Sequence, residues 1–331
     1  MTSLAATMIV RDEAAVLAAS LRALRNVVDE IHVHDTGSTD GTVSLAASLD
    51  AIVSRGLWTN DFASARNDAM AGWTADWVLA VDADEQAVAD PAALRAFLAG
   101  TDADLLLVEI DNEQDRSAFT HRTGRLFRPS AGEWSGAVHE QVVARSGRLR
   151  VAHLPREVLH LRHTGYATEA VRYAKCVRNA ALAQAAVDDL VAQGATASPT
   201  AVAATLLDLG RSLVGAERRQ EAVDAFETLR ELFPGTREWL VATDFLARQV
   251  LAAGLDEVCL VLVDQLRAAG APPMYCDWLA AQAIAQLGDV AAAQRLLDGV
   301  TEVVDTDGRR YETTALRELK DLLGSLAPAA Y

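Results

Sequence analysis

The sequence predicts two domains of different class, an α/β domain over residues 1–166 followed by an all-α helical-repeat domain over residues 167–331. Three observations predict this. All seven histidines lie between His32 and His163, while all three cysteines follow Tyr166. At the same place the texture changes from short β-type runs alternating with helical stretches to Ala- and Leu-rich helical patterns alone. A length of 331 residues also suits two cores better than one.

Each element follows from its pattern. Leu4-Ala5-Ala6-Thr7-Met8-Ile9-Val10 is an apolar run of strand length, and Val16, Leu17, Leu21 and Leu24 then recur at helical spacing. Residues 30–34 read as a second strand, 42–49 as a helix and 51–53 as a short strand. Residues 62–73 read as a helix, 77–81 as the most apolar strand and 105–108 as a fifth. Strands alternating with helices imply a mostly parallel, doubly wound sheet, which binds ligands beyond the carboxyl ends of its strands. In the second domain, residues 206–213 precede a turn at Gly215, residues 221–226 follow, and Phe233-Pro234 closes the unit. Gly254 and Gly288 mark corresponding turns, and Ala222 aligns with Cys259 and Ala293. These units resemble tetratricopeptide repeats, of period about 34 residues, in which each helix pair buries its apolar face on its neighbours.

Charge excludes some partners. The net charge is -16, shared about equally between the two halves, and no basic patch or tail is present. Such a chain repels nucleic acid and anionic membrane surfaces at long range, so a bound phosphate must be met locally by a metal or a few arginines. The apolar N-terminal stretch of about seven residues ends at Arg11-Asp12-Glu13, short of a signal-peptide core or a membrane span. Cys176, Cys259 and Cys276 lack paired spacing and read as buried thiols, which fits a reducing cytoplasm.

The sharpest chemical signal is Asp82-Ala83-Asp84-Glu85, directly after the most apolar strand. Three carboxylates in four residues repel one another, and a hard divalent ion such as Mg²⁺ or Mn²⁺ would neutralise them; the plainer alternative is a solvated acidic turn. Asp35-Thr36-Gly37-Ser38-Thr39-Asp40-Gly41-Thr42 leaves the second strand, and Asp35 stands where it can accept hydrogen bonds from a base or a ribose. Otherwise this segment is a well-capped turn.

Four motifs in order make the sequence recognisable: residues 8–13, residues 35–42, Asn60-Asp61-Phe62-Ala63-Ser64-Ala65-Arg66-Asn67, and residues 82–85. Together they resemble family 2 glycosyltransferases of the GT-A fold, over roughly residues 4–166. The closest likeness is to the branch with tetratricopeptide-like helices after the catalytic domain, such as the sublancin-type peptide S-glycosyltransferases. The resemblance implies that Arg11 and Glu13 line the nucleotide pocket, that Asp35 contacts the nucleobase and that Arg66 sits near the nucleotide and its diphosphate. It implies that Asp82 touches the ribose or the metal and that Asp84 is the main ligand of a Mn²⁺ or Mg²⁺ ion. Glu133-Trp134-Ser135-Gly136-Ala137-Val138-His139-Glu140 resembles the acceptor-side motif of the same branch. Glu140 or His139 is then the general base, and Trp134 is either a platform for the donor sugar or a buried rim residue. Where the family carries a Glu-Asp pair, this chain has His139-Glu140, which leaves both candidates open. His160-Leu161-Arg162-His163-Thr164-Gly165-Tyr166 resembles the closing element of these domains, with His163 at the place that joins the metal or the diphosphate.

The implied function is inverting transfer of a sugar from a nucleotide diphosphate donor, expected to be a uridine one, to a peptide, natural-product or saccharide acceptor. The helical domain is expected to position that acceptor or to form a homodimer. Two rivals stand beside it. A sugar nucleotidyltransferase would want a Gly/Arg/Lys-rich triphosphate loop near the first strand, which this chain lacks. A tetratricopeptide scaffold with a vestigial nucleotide-sugar domain is opposed by the intact Asp35, Arg66, Asp82 and Asp84.

Overall fold

A computed structural model describes residues 2–112, 118–163 and 169–326. The chain divides into two compact units, residues 1–116 with 120–166, and residues 117–119 with 167–331. The proposed boundary at Tyr166, with Thr164 and Gly165, lies outside the described residues.

In the first unit β1 (Leu4–Val10), α1 (Leu17–Leu24), β2 (Glu30–Asp35), α2 (Thr42–Ser48), β3 (Ile52–Arg55), α3 (Phe62–Asp68) and β4 (Trp77–Ala80) follow the predicted order. Then come β5 (Glu85–Ala89), α4 (Pro91–Gly100), β6 (Leu105–Asn112), β7 (Phe119–Phe127), β8 (Gly132–Ser135), β9 (Gln141–Ala144), β10 (Val151–His153) and β11 (Leu159–His163). The main sheet runs β3-β2-β1-β4-β7-β6-β11-β5, with β10 beside β6, and β8 and β9 form a separate hairpin sheet.

Alternation along β4 builds two cores. Trp77, Leu79 and Val81 face one side with Met8, Leu21 and Leu94, whereas Val78 and Ala80 face the other with Ala63, Phe127 and Trp134. Successive strand residues point to opposite faces, so a strand covered on both sides must be apolar throughout, as β4 is.

The sheet departs from a mostly parallel one in its second half. β1, β2, β3 and β4 pair in parallel, but β7 is antiparallel to β4 and β5 is antiparallel to β11. Strands such as β7 (Phe-Thr-His-Arg-Thr-Gly-Arg-Leu-Phe) carry polar residues along most of their length and give no apolar run to read. The third helix also ends at Asp68 and not at Trp73; residues 69–72 form a turn that closes on Gly72 at φ 83°.

The second unit comprises α5 (Glu169–Gln193), α6 (Pro199–Gly215), α7 (Arg219–Leu232), α8 (Arg237–Ala252), α9 (Asp256–Ala268), α10 (Pro273–Gln286) and α11 (Val290–Asp298). A short hairpin, β12 (Val303–Val304) with β13 (Arg310–Tyr311), and α12 (Thr313–Leu326) complete it. Equivalent positions recur at intervals of about 35 residues. Ala222, Cys259 and Ala293 are fully buried on α7, α9 and α11, as are Phe226, Val263 and, at 1% exposure, Leu297. Gly210 is small where Phe226 presses, since a Cβ there would collide with the ring; Ala247 and Ala281, on α8 and α10, are fully buried as well. The first turn is not at Gly215, which is still helical, but at Glu217, whose φ of 59° matches Gly254 at 71° and Gly288 at 93°. Gly215 is small for another reason: a Cβ there would strike Cys176. Among the described residues no helix is long and apolar enough to cross a membrane.

Candidate active site

The loops leaving β1 and β2 are clamped together. Asp12, at φ 55°, accepts from the Thr39 N–H at 2.7 Å and the Asp40 N–H at 3.2 Å, while its own N–H donates to Ser38 Oγ at 2.9 Å. The Glu13 N–H donates to Thr42 Oγ1 at 2.8 Å. Asp35 is 4% exposed, and its carboxylate accepts from the N–H groups of Gly37 (3.3 Å) and Ser38 (3.2 Å), so it shapes the turn that it begins. Arg11 is exposed beside this clamp and Glu13 is half-buried.

At the exit of β4 the acidic run is split among different partners. Asp82 Oδ1 accepts from Arg66 at 2.7 Å and Oδ2 from Arg125 at 2.8 Å. Arg125 also reaches Glu85 Oε1 at 3.1 Å, and Glu85 Oε2 accepts from the Asp82 N–H at 2.8 Å. Burial of Glu85 outweighs Arg125 and pushes its carboxyl up to about 7. Although burial opposes ionisation of Asp82 as well, the Coulomb attraction of Arg125 and Arg66 dominates and holds its carboxyl well below the usual range. Arg125 arrives through register: Val78 and Leu79 of β4 pair with Phe127 and Leu126, and the next residue of β7 stands beside the β4 exit.

Arg66 links two loops that are distant in sequence. Besides Asp82 it donates from Nε to Glu140 Oε1 at 2.6 Å, and its guanidinium lies 5.0 Å from the Trp134 ring centre. Trp134 is 5% exposed, packed edge-on against Phe127, so its face meets protein and not solvent. Asn67, next to Arg66, exchanges two hydrogen bonds with the Trp134 backbone (2.9 and 3.0 Å), and the Phe62 N–H donates to Ala137 O at 3.0 Å. The segment read as the acceptor-side motif is thus strand β8 followed by a loop fastened to α3. In that loop His139 is exposed and held at φ 52°, a left-handed conformation uncommon for its residue type.

Asp84 turns elsewhere. Its Oδ2 lies 3.0 Å from His163 Nε2, and His163 Nδ1 lies 3.1 Å from Asn112 Oδ1. The register fixes this meeting, for His163 of β11 pairs with Asn112 of β6 on one side and Glu85 of β5 on the other. An oxygen faces each ring nitrogen, and the Asp84 hydrogen bond leads the causes that raise the His163 pKa; a metal ion on Nε2 would have to displace that proton, so cation and proton compete for the site. Asp82, Asp84 and His163 therefore do not converge: among the described residues no three His, Cys, Asp or Glu side chains group as a metal centre. Asp84 and His163 alone fit a hard divalent ion, which commonly takes one or two protein donors and completes its shell with substrate phosphates and water. His160 instead turns to the Arg156 carbonyl.

Of the residues proposed from sequence, Asp82, Arg66 and Glu140 meet directly, as do Asp84 and His163. Arg11, Glu13 and Asp35 belong to the neighbouring loop clamp. Arg125 and Asn112 are missed by sequence reasoning, since a lone arginine or asparagine in a polar strand has no local signature.

Residues 6–159 match the family described as glycosyl transferase family 2. The chain is 38% identical over 129 residues to a TPR repeat-containing protein of Synechococcus elongatus, covering 39% of this chain and 32% of that protein. It is 36% identical over 86 residues to an uncharacterized glycosyltransferase of Rickettsia felis, covering 26% of this chain and 30% of that protein. The chain thus spans about a third of the length of these relatives. A crystal structure of S. aureus TarS 1-349 in complex with UDP aligns at a TM-score of 0.41 and 13% identity, over 87% of this chain and 92% of that chain.

Proposed function

We propose that this chain, whose residues 6–159 form a glycosyl transferase family 2 domain, transfers a sugar with inversion from a uridine diphosphate donor to a nucleophile on a peptide, natural-product or saccharide acceptor. The observation that carries the reading is the buried Arg66 bridge, which joins the carboxylate at the β4 exit to Glu140 in one site at the carboxyl ends of the strands. Asp35 and the clamped loops with Arg11 and Glu13 line the nucleoside side, and Asp82, held between two arginines, meets the ribose. Trp134 supports Arg66 from below. Asp84 and His163 hold a Mn²⁺ or Mg²⁺ ion, which when bound neutralises the charge building on the leaving diphosphate. Glu140 presents Oε2, its Oε1 being taken by Arg66, to the acceptor O–H or S–H. As the acceptor atom bonds to the anomeric carbon and the sugar–phosphate bond breaks, the proton passes to Glu140. The helical unit, with no histidine of its own, contributes to acceptor binding and not to chemistry.

Ligand-dependent melting tests this. UDP with Mn²⁺ at a hundredfold excess over its Kd should stabilise the protein by about 2.7 kcal/mol. EDTA should remove most of that gain, and Asp84→Ala should abolish both the gain and Mn²⁺-dependent hydrolysis of a UDP-sugar. Full hydrolysis in EDTA would exclude the metal-dependent reading.

A further inference from the structure

We propose that Arg125 is a positioning residue that keeps Asp82 out of the coordination sphere of the divalent ion, so that Asp84 and His163 are its protein donors. The inference rests on the metal-dependent glycosyltransferase reading above. Arg125 belongs to no motif, yet its side chain is only 13% exposed and its guanidinium reaches both Asp82 Oδ2 at 2.8 Å and Glu85 Oε1 at 3.1 Å. Arg66 takes the other oxygen of Asp82 at 2.7 Å. Both oxygens of Asp82 are therefore bound by guanidinium groups, while Asp84, two residues on, pairs with His163 at 3.0 Å. A carboxylate engaged on both oxygens by charge-assisted hydrogen bonds offers little to a cation, and removing one partner from a buried pair exposes its charge again.

This geometry gives Arg125 a signature that an arginine needed only for folding lacks. Deleting its charge frees Asp82 Oδ2 and Glu85 beside Asp84, and affinity for a divalent ion rises with the number of carboxylates available. Metal binding should then tighten while sugar transfer falls, because Asp82 leaves the position that meets the donor. An arginine that merely held the fold would, when lost, weaken both.

The test is titration of the full-length protein with Mn²⁺ in the presence of UDP, following the free ion by electron paramagnetic resonance, with donor kcat and KM measured in parallel. Arg125→Met should bind Mn²⁺ about tenfold more tightly than the wild type and transfer more slowly, whereas Arg125→Lys, which keeps the charge, should restore wild-type Mn²⁺ affinity. At UDP concentrations that saturate each variant, Asp82→Asn, nearly isosteric, should leave Mn²⁺ affinity within about twofold, since Asp82 is not a ligand while Arg125 is present. Unchanged or weaker Mn²⁺ binding by Arg125→Met would overturn the inference. So would loss of Mn²⁺ binding in Asp82→Asn, a result that stands even if Arg125→Met does not fold. Absence of Mn²⁺ binding by the wild type with UDP would instead sink the metal-dependent reading itself.

Discussion

At the scale of single residues, the pairing of Glu140 decides how it can act. A carboxylate held by Arg66 at 2.6 Å is oriented, leaving one oxygen for a proton. Glutamine keeps an oxygen for Arg66 Nε but accepts no proton usefully at neutral pH. Glu140→Gln should therefore retain donor affinity and lose about 10²–10⁴-fold in kcat. His139, exposed and fixed at φ 52°, is the competing base, so His139→Ala is the comparison. Retained kcat in Glu140→Gln together with a dead His139→Ala would transfer the role to the histidine. The same scale shows what a sequence can hold. Asp82, Asp84, Arg66, Glu140 and His163 stand in short runs whose composition is itself a signal. Arg125 and Asn112 act through partners supplied by strand register: β7 against β4, and β6 beside β11. Nothing local announces that register.

Among elements, the helical repeats were legible in spacing but not in every turn. Ala222, Cys259 and Ala293, aligned in the sequence, are all fully buried on the second helix of their units. The first turn was misplaced because Gly215 imitates the expected glycine, while the left-handed position is filled by Glu217 at φ 59°. A side chain with a Cβ meets steric conflict there that glycine avoids, and a Cβ on Gly254 or Gly288 would have no neighbour within 4 Å, so backbone conformation is the only variable. Glu217→Gly should thus stabilise the protein by about 0.5–1 kcal/mol, and Gly254→Ala or Gly288→Ala should destabilise it by about 1 kcal/mol or more. Urea midpoints at constant slope would measure this. A stabilising Gly254→Ala would contradict the shared left-handed turn.

For the whole molecule, the division by histidines and cysteines tracks chemistry: the α/β unit gathers arginines, acids and histidines at its strand ends, and the helical unit buries Cys259 and Cys276, whereas Cys176, also expected inside, is half-buried. Burial pushes Cys259 and Cys276 to about 11, which makes them inert packing groups. Net charge acts on both units alike. With 46 acidic against 30 basic side chains, the molecule repels an approaching anion except within a few ångströms of Arg66, Arg125 and Arg11. The two effects differ in range, and salt separates them. The screening length falls from about 30 Å at 0.01 M to about 8 Å at 0.15 M, which removes the long-range repulsion and spares contacts at the site. UDP with its Mn²⁺ still carries net negative charge, whereas a UDP-sugar with its Mn²⁺ is neutral. The association rate constant of Mn²⁺-UDP should therefore rise as salt increases over this range, while that of the Mn²⁺-UDP-sugar stays nearly flat. Stopped-flow binding at saturating Mn²⁺ measures both. A Mn²⁺-UDP rate that falls with salt would mean that the arginines at the strand ends govern the approach, and that the acidic remainder of the chain lies too far from the site to matter.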